Sequence, residues 1–348
     1  MKIGNVPEIR RVILRVSIKD IAKHCSMSVS TVSRALNGDY GVKPKTRTAV
    51  LDAAKELGYV PNLAAKELVS QKSKLVGIFI SDSDYEARPA FFELLPYINR
   101  TLALHDYRAI ICTLRDSGYV QGELSDTIAL RNLSSCILLT TFHSSHPVYN
   151  EIRQTVQPTV VFDNSILTPS CSNIHTDEVA GAYMATRYLL DCGHSKIAFV
   201  NGSDQLEISM ERLEGFRRAT EEANLPNDHT PVLFSDFTGT GGQDSMRQLL
   251  RLHPDVRAVF FANDLMAMGA ISYLAEEGIR VPDQYSIIGY DGLFVGKYYN
   301  PPLATIVIDN PTIGTRAAEM LLALINGGSG TTIRVMPQLF QGKSVRTL

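Results

Sequence analysis

From Leu75 onward the chain repeats one pattern: a short, continuous apolar run, mostly of β-branched residues, followed by a stretch with helical periodicity. The runs fall at 75–80, 109–112, 136–139, 159–162, 197–200, 258–261 and 286–288, and helical spacing fills gaps such as 179–190, 212–223 and 266–276. A strand that is apolar on both faces must be covered on both, which is the condition of a parallel sheet between helices. Seven such strands suit two lobes better than one barrel. Open α/β sheets bind ligands at the carboxyl ends of their strands. The polar residues that follow strands there or start helices are therefore the candidates: Asp163, Arg212 (read as opening a helix), Asn263 and Asp291, with Phe162, Phe237 and Tyr290 as aromatic partners. Planar polar groups bond adjacent sugar hydroxyls in pairs, while aromatic faces cover the apolar side of a ring. Taken singly, each polar residue reads equally as a helix cap or a surface ion pair.

The first 74 residues follow another rule. The formal net charge of the chain is −2, but residues 16–74 carry ten Lys/Arg against five Asp/Glu, residues 1–15 add +3, and the remainder holds −10. A basic head on an acidic body points the head at a polyanion. Within it, Ser17-Ile-Lys-Asp20 has the spacing of a capping box. Ile18, Ile21 and Ala22 share one helical face. Ser28 is a second N-cap, before a helix that buries Val32, Ala35 and Leu36 and stops at Asn37-Gly38. Pro44 opens a third helix, with Val50, Ala53, Ala54 and Leu57 on its apolar face. Two short helices joined tightly and backed by a third make a helix-turn-helix. Val29, Ser30, Thr31, Ser33 and Arg34 crowd the start of the second helix, the end that such motifs insert into the major groove. Hydroxyls bond phosphates or base edges, Arg34 pairs a guanine, and Val29 touches a thymine methyl. On residue types alone, a merely solvated surface accounts for the serines as well.

The run Val16-Ser-Ile-Lys-Asp-Ile-Ala, then Ser28-Val-Ser-Thr-Val-Ser-Arg-Ala-Leu-Asn37 and Leu57-Gly-Tyr-Val-Pro-Asn62, closely resembles the head of the lactose/galactose repressor (LacI/GalR) family. Where that family has glycine in the turn, this chain has Ser26. The resemblance carries a DNA-contacting role onto Ser17, Ser28, Val29, Ser30, Thr31, Ser33, Arg34 and Asn37. It also implies a hinge helix after Pro61, capped by Asn62. In that hinge Ala65 lets two copies approach and Leu68 wedges into the minor groove at the central base step. The resemblance extends over the body through Arg212-Leu-Glu-Gly-Phe216, Phe261-Ala-Asn-Asp, Ile287-Ile-Gly-Tyr-Asp291 and Pro302-Leu-Ala-Thr-Ile306. It implies a two-lobed, periplasmic-binding-protein-like (type I) effector domain with parallel sheets and three crossings between lobes. Asp163, Arg212, Asn263 and Asp291 match effector-contacting positions, Phe237 matches a pocket aromatic, and Ser81 and Asp82 end the first strand at the cleft. Gly292 and Ile308 replace polar residues of some sugar-responsive members. Leu206 and Ile208 replace polar contacts of the purine-responsive one, which disfavours a purine.

The expected organisation is an N-terminal extension at 1–15, an all-α head at 16–61, a hinge and linker at 62–74, and an effector-binding and dimerisation domain at 75–348. Its first lobe takes about 75–175 and 308–337, its second about 176–307 and 338–348. The expected function is sequence-specific repression, with operator affinity set by a sugar or sugar derivative between the lobes. A phosphocarrier-type protein is the alternative controller, and a solute-binding protein the more distant one. No leucine heptad follows the last body segment, so a homodimer on a palindromic, double-stranded operator is expected. No apolar run reaches bilayer length and no secretory signal opens the chain, so membrane partners are not expected and a cytoplasmic location is. Five scattered cysteines without a C-x-x-C fit neither a disulfide framework nor a zinc site. The glycine clusters at 239–242 and 327–330 lack the Gly-Lys-Ser/Thr of a phosphate loop. His194 after Cys192 stands in a helix-to-strand turn and reads as structural. No catalytic residue, cofactor or metal is assigned.

Overall fold

The computed structural model describes residues 16–59, 73–82 and 89–348, and the chain divides into two units, 1–72 and 73–348. In the first, α1 (Ile18–His24) starts where the Asp20 carboxylate reaches back to the Ser17 backbone N–H (2.8 Å) and hydroxyl (2.7 Å). These bonds lower the Asp20 pKa. Helix α2 (Val29–Asn37) starts at Ser28, whose Oγ accepts the Thr31 N–H at 3.1 Å, and it ends on Gly38 in the left-handed region. Helix α3 (Pro44–Glu56) has its proline in the first turn. The three helices bury Ile21, Ala22, Val32, Ala35, Val50, Ala53 and Ala54 together. The turn between α1 and α2 keeps a left-handed residue, Ser26, at φ +50°. A conformation usually given to glycine is here held by a residue with a Cβ.

The second unit holds two six-stranded sheets of the same order. The first comprises β1 (Leu75–Ser81), β2 (Arg108–Leu114), β3 (Ser135–Leu138), β4 (Thr159–Phe162), β5 (Cys171–Thr176) and β11 (Thr332–Val335), ordered β11-β5-β4-β3-β1-β2 and parallel throughout. The second comprises β6 (Ile197–Asn201), β7 (Val232–Phe234), β8 (Ala258–Phe261), β9 (Ser286–Asp291), β10 (Ala304–Val307) and β12 (Gln338–Phe340), ordered β12-β10-β9-β8-β6-β7. It is parallel except that β12 runs antiparallel to β10. All seven apolar runs are strands. The strands without such a run are β5, β7, β10, β11 and β12. Strand β5 reads Cys-Ser-Asn-Ile-His-Thr and is nonetheless buried along its length. Pairing on both sides, with β4 and β11, satisfies its backbone, and the Asn173 amide donates to the Ile166 carbonyl at 2.9 Å. A buried polar strand is stable when its side chains find partners.

Helices α4 (Ala90–Leu104) and α11 (Asn310–Ile325) pack together on the first sheet, with α5 (Glu123–Leu130) and α6 (Val148–Gln154) also in this lobe. The second lobe pairs α7 (Glu178–Asp191) with α8 (Glu207–Glu222), and α9 (Gly239–Leu252) with α10 (Asp264–Glu276). The chain passes between lobes after β5, after β10 and between β11 and β12. Gly215 allows the close approach of α8 to α7, because a Cβ there would meet the Val179 carbonyl and, at 2.8 Å, the Tyr183 nitrogen.

Two substitutions test these points. Ser26→Gly is expected to stabilise the head by about 0.5–1 kcal/mol by relieving the left-handed residue, read as slower amide exchange in α1–α3; unchanged or faster exchange argues against strain at Ser26. Gly215→Val is expected to destabilise the second lobe by about 1–3 kcal/mol or more through overpacking against backbone, measured by chemical denaturation.

Candidate functional site

In the head, Ser17, Ser28, Val29, Ser30, Arg34 and Asn37 are exposed, while Thr31 and Ser33 are half-buried. Val29 is 42% exposed at the helix start. Ser28 Oγ lies 2.9 Å from the Ser30 hydroxyl and 2.8 Å from that of Thr31, so three hydroxyls gather around the first turn of α2. Among the described residues the only ion pair of the head is His24–Glu56 at 3.6 Å, and Lys19, Arg34, Lys43 and Lys45 have no acidic partner. Unneutralised cations around an exposed helix N-terminus are what a phosphate backbone requires. Asn62, Ala65 and Leu68 lie outside the described residues.

In the body a cavity opens between the lobes. Of the sequence-derived candidates, Asp163, Arg212, Phe237, Asn263 and Asp291 all line it. The first lobe adds Phe91, Leu94, Phe162, His175 and Thr176, with Asn310 and Ile313 from α11; the second adds Ile208; and Ile308 stands at a crossing. The cavity has a volume of about 40 Å³, within about 560 Å³ of atom-free space that includes its open mouth. Three lining residues that are not glycine hold positive φ: Asp163 (+47°), Phe237 (+66°) and Asp291 (+106°). Backbone strain of this kind gathers where side chains must be aimed at a ligand.

Two expectations need correction. Ser81 and Asp82 do not line the cavity: Ser81 is 4% exposed, and Asp82 Oδ1 accepts the Asp116 N–H at 3.1 Å, tying the end of β1 to the end of β2. Arg212 does not open a helix, since α8 begins at Glu207 and carries Arg212 in its second turn. Tyr290 is also absent from the cavity wall. It is fully buried, with its ring 3.9 Å from the Arg212 guanidinium carbon.

Arg212 is 4% exposed and heavily engaged. Its Nε donates to Glu178 Oε2 at 2.6 Å, its guanidinium also donates to the Ala262 carbonyl, and Asp291 Oδ1 lies 3.9 Å away. Burial works against its charge, but Glu178, Tyr290 and Asp291 hold it protonated well above the usual arginine range. Burial pushes the Asp291 carboxyl well up, against the pull of Arg212. It pushes Asp264 up to about 7, against bonds from the Thr305 hydroxyl and the Leu293 and Gly292 N–H groups. Asn263 caps α10 by accepting the Met266 N–H at 2.9 Å and donates to the Phe237 carbonyl at 2.8 Å. That bond holds a left-handed Phe237 whose ring packs on Gly202, where any side chain would strike it. Sequence reasoning missed Glu178 and His175. Glu178 reads as an ordinary first-turn acid, and nothing in the spacing links it to Arg212 34 residues later.

His194 Nε2 lies 3.1 Å from the Arg346 carbonyl, which ties the turn to the C-terminal segment. All five cysteines are free. Among the described residues no group of three His/Cys/Asp/Glu has a metal-holding arrangement, and no helix is long and apolar enough to cross a membrane.

Residues 17–62 match the family described as bacterial regulatory proteins, lacI family, and residues 186–345 match a periplasmic binding protein-like domain. The chain is 31% identical over 326 residues to the HTH-type transcriptional regulator CelR of Thermobifida fusca, covering 92% of this chain and 95% of the relative. It is 32% identical over 343 residues to the HTH-type transcriptional repressor PurR of Haemophilus influenzae, covering 95% and 99%. Among solved structures it is similar to a CelR–cellobiose complex (TM-score 0.72, 28% identity, 95% of this chain and 100% of that one). It is also similar to the lac repressor dimer bound to operator and the anti-inducer ONPF (TM-score 0.81, 25% identity, 95% and 99%). The chain therefore belongs to the lacI family of bacterial regulatory proteins and is a DNA-binding transcriptional regulator under effector control.

Proposed function

We propose that the effector is a small uncharged sugar, bound between the lobes, and that it sets the affinity of a cytoplasmic homodimer for a palindromic operator. The observation that carries this reading is the Arg212–Glu178 pair. The guanidinium is already matched by a buried carboxylate at 2.6 Å, so among the described residues the cavity wall has no uncompensated cation for a phosphate or carboxylate. What remains is an apolar wall of Phe91, Leu94, Ile208, Phe237, Ile308 and Ile313 with Asp163, Asn263 and Asp291 set into it. This is the combination that clasps a sugar ring, face against apolar groups and hydroxyls against planar polar ones. Ile208 on the wall and Leu206 in the core offer a purine edge no hydrogen bonds. The ligand of the CelR complex, cellobiose, is an uncharged sugar. The relatives are regulators, and the chain is read as one with no catalytic step of its own.

The narrowness of the cavity supplies the coupling. A sugar ring needs more than the space a few waters take, so it enters by displacing side chains or parting the lobes. Contacts across the cleft then change: Glu93 of α4 accepts the Phe294 N–H at 3.1 Å, and Arg334 of β11 meets Glu211 of α8 at 3.3 Å. An effector shifts operator affinity only by its difference in affinity for the two arrangements, typically about 1–3 kcal/mol. In the head, Ser17, Ser28, Val29, Ser30, Thr31, Ser33, Arg34 and Asn37 face the operator.

The test is operator binding by the full chain across a salt series, with cellobiose, ribose, a sugar phosphate or a purine base added. Binding shifted by an uncharged sugar supports the reading; a shift by the phosphate or the purine alone refutes it. Arg34→Ala is expected to cost about 1–3 kcal/mol on the specific site while leaving non-specific binding nearly unchanged. Asp163→Asn, at a half-buried residue, is expected to weaken the effector about tenfold and spare operator affinity. Arg212→Ala is expected to destabilise the second lobe by about 3–5 kcal/mol, because it strands Glu178; a denaturation midpoint equal to wild type would show that the pair is not structural.

A further inference from the structure

Among the described residues, one fully buried polar side-chain atom of the cavity-lining residues has no hydrogen-bond partner. His175 is the penultimate residue of β5, just before the chain crosses to the second lobe. It is 8% exposed, it is one of the residues that line the cavity, and its Nε2 has no hydrogen-bond partner. Arg212 is bound to Glu178 and Ala262, and Asn263 to Met266 and Phe237, so their polar atoms are explained without a ligand. The Nε2 of His175 is not. Other buried side-chain atoms without a partner, among them those of Thr140, Asn173 and Ser209, stand outside the cavity wall. A buried polar atom without a partner costs free energy comparable to a lost hydrogen bond, and such atoms call for an explanation.

We propose that His175 is a direct effector contact, its imidazole bonding a hydroxyl of an uncharged sugar and so setting the cavity's preference for hydroxylated over apolar or anionic ligands. Burial lowers the His175 pKa, and Arg334 on β11 acts the same way against Glu207 and Glu178 on the second-lobe helices and Asp177 at the crossing. The ring is therefore neutral, with one donor and one acceptor. A hydroxyl both donates and accepts, so it satisfies Nε2 in either tautomer. A phosphate or carboxylate only accepts, and it would meet Asp163 without a free cation to offset it. His175 belongs to the first lobe, whereas Arg212, Asn263 and Asp291 belong to the second. A ligand that bonds His175 thus bridges the cleft, and its binding depends on how the lobes are arranged. The inference rests on the sugar reading above and deepens it.

The test is calorimetric titration of the full chain near neutral pH with cellobiose and with ribose, together with thermal unfolding of the ligand-free protein. His175→Phe keeps a ring but removes both nitrogens. It is expected to weaken binding of the sugar that wild type accepts by about tenfold, with an unchanged or higher ligand-free Tm because the orphaned nitrogen is gone. His175→Asn, which keeps a donor and an acceptor at shorter reach, is expected to fall between and serves if the Phe variant does not fold. Undiminished affinity in both variants overturns the role of His175 and leaves the sugar reading standing. Weakened binding with a matching fall in ligand-free Tm also overturns it, because the ring would then be packing alone. Failure of wild type to bind either sugar overturns the sugar reading and this inference with it.

Discussion

The effector domain is organised around the buried charge of Arg212. One guanidinium joins the first turn of α7 through Glu178, the end of β8 through the Ala262 carbonyl and the end of β9 through Asp291, and it lies against the ring of Tyr290. A cation this deep is tolerable only when it is paired and hydrogen-bonded on nearly every side. The demand runs outward from there. Glu178 must follow the crossing from β5 directly, Asp291 must adopt a left-handed backbone, and α8 must approach α7 closely enough that Gly215 has no room for a side chain. The second lobe's share of the cavity is thereby preset.

The first lobe meets this frame with softer contacts. Glu93 reaches Phe294, Ser165 reaches Glu207 at 3.4 Å, and Arg334 reaches Glu211. Partly exposed single bonds of this kind are weak enough to be exchanged when a ligand enters. The division of labour suits a regulator. In the reading proposed above, the second lobe's wall positions the effector and the exchangeable contacts across the cleft convert its presence into a change of lobe arrangement.

Much of this architecture is legible in the order of the amino acids. The capping residues Ser17 and Ser28, Pro44 in the first turn and Gly38 at the stop place three helices, because helix ends are fixed by local hydrogen bonding that a few residues encode. The apolar runs place seven strands for a similar reason, since strands buried on both faces announce themselves. Strand β5 does not: its backbone is satisfied in part by β11, about 160 residues along the chain, which no local pattern contains. The same limit governs the cavity. Asp163, Phe237, Asn263 and Asp291 stand near strand ends and reach the cavity as expected, and Arg212 reaches it from the second turn of α8, whereas Ser81 and Asp82, at an equally suitable strand end, do not, Asp82 being bonded to the end of β2 instead.

The sequence by itself determined the basic helical head, the two α/β lobes and the family, because composition, periodicity and ordered motifs survive without knowledge of contacts. Only the tertiary structure decided that Arg212 is spoken for by Glu178, that Asn263 holds Phe237 in place, and that His175 is brought to the cavity wall with its Nε2 unpaired. These are facts about which groups share a desolvated space. Whether a charge is free to meet a ligand depends on neighbours brought together by folding, and their separation along the chain carries no signal of it.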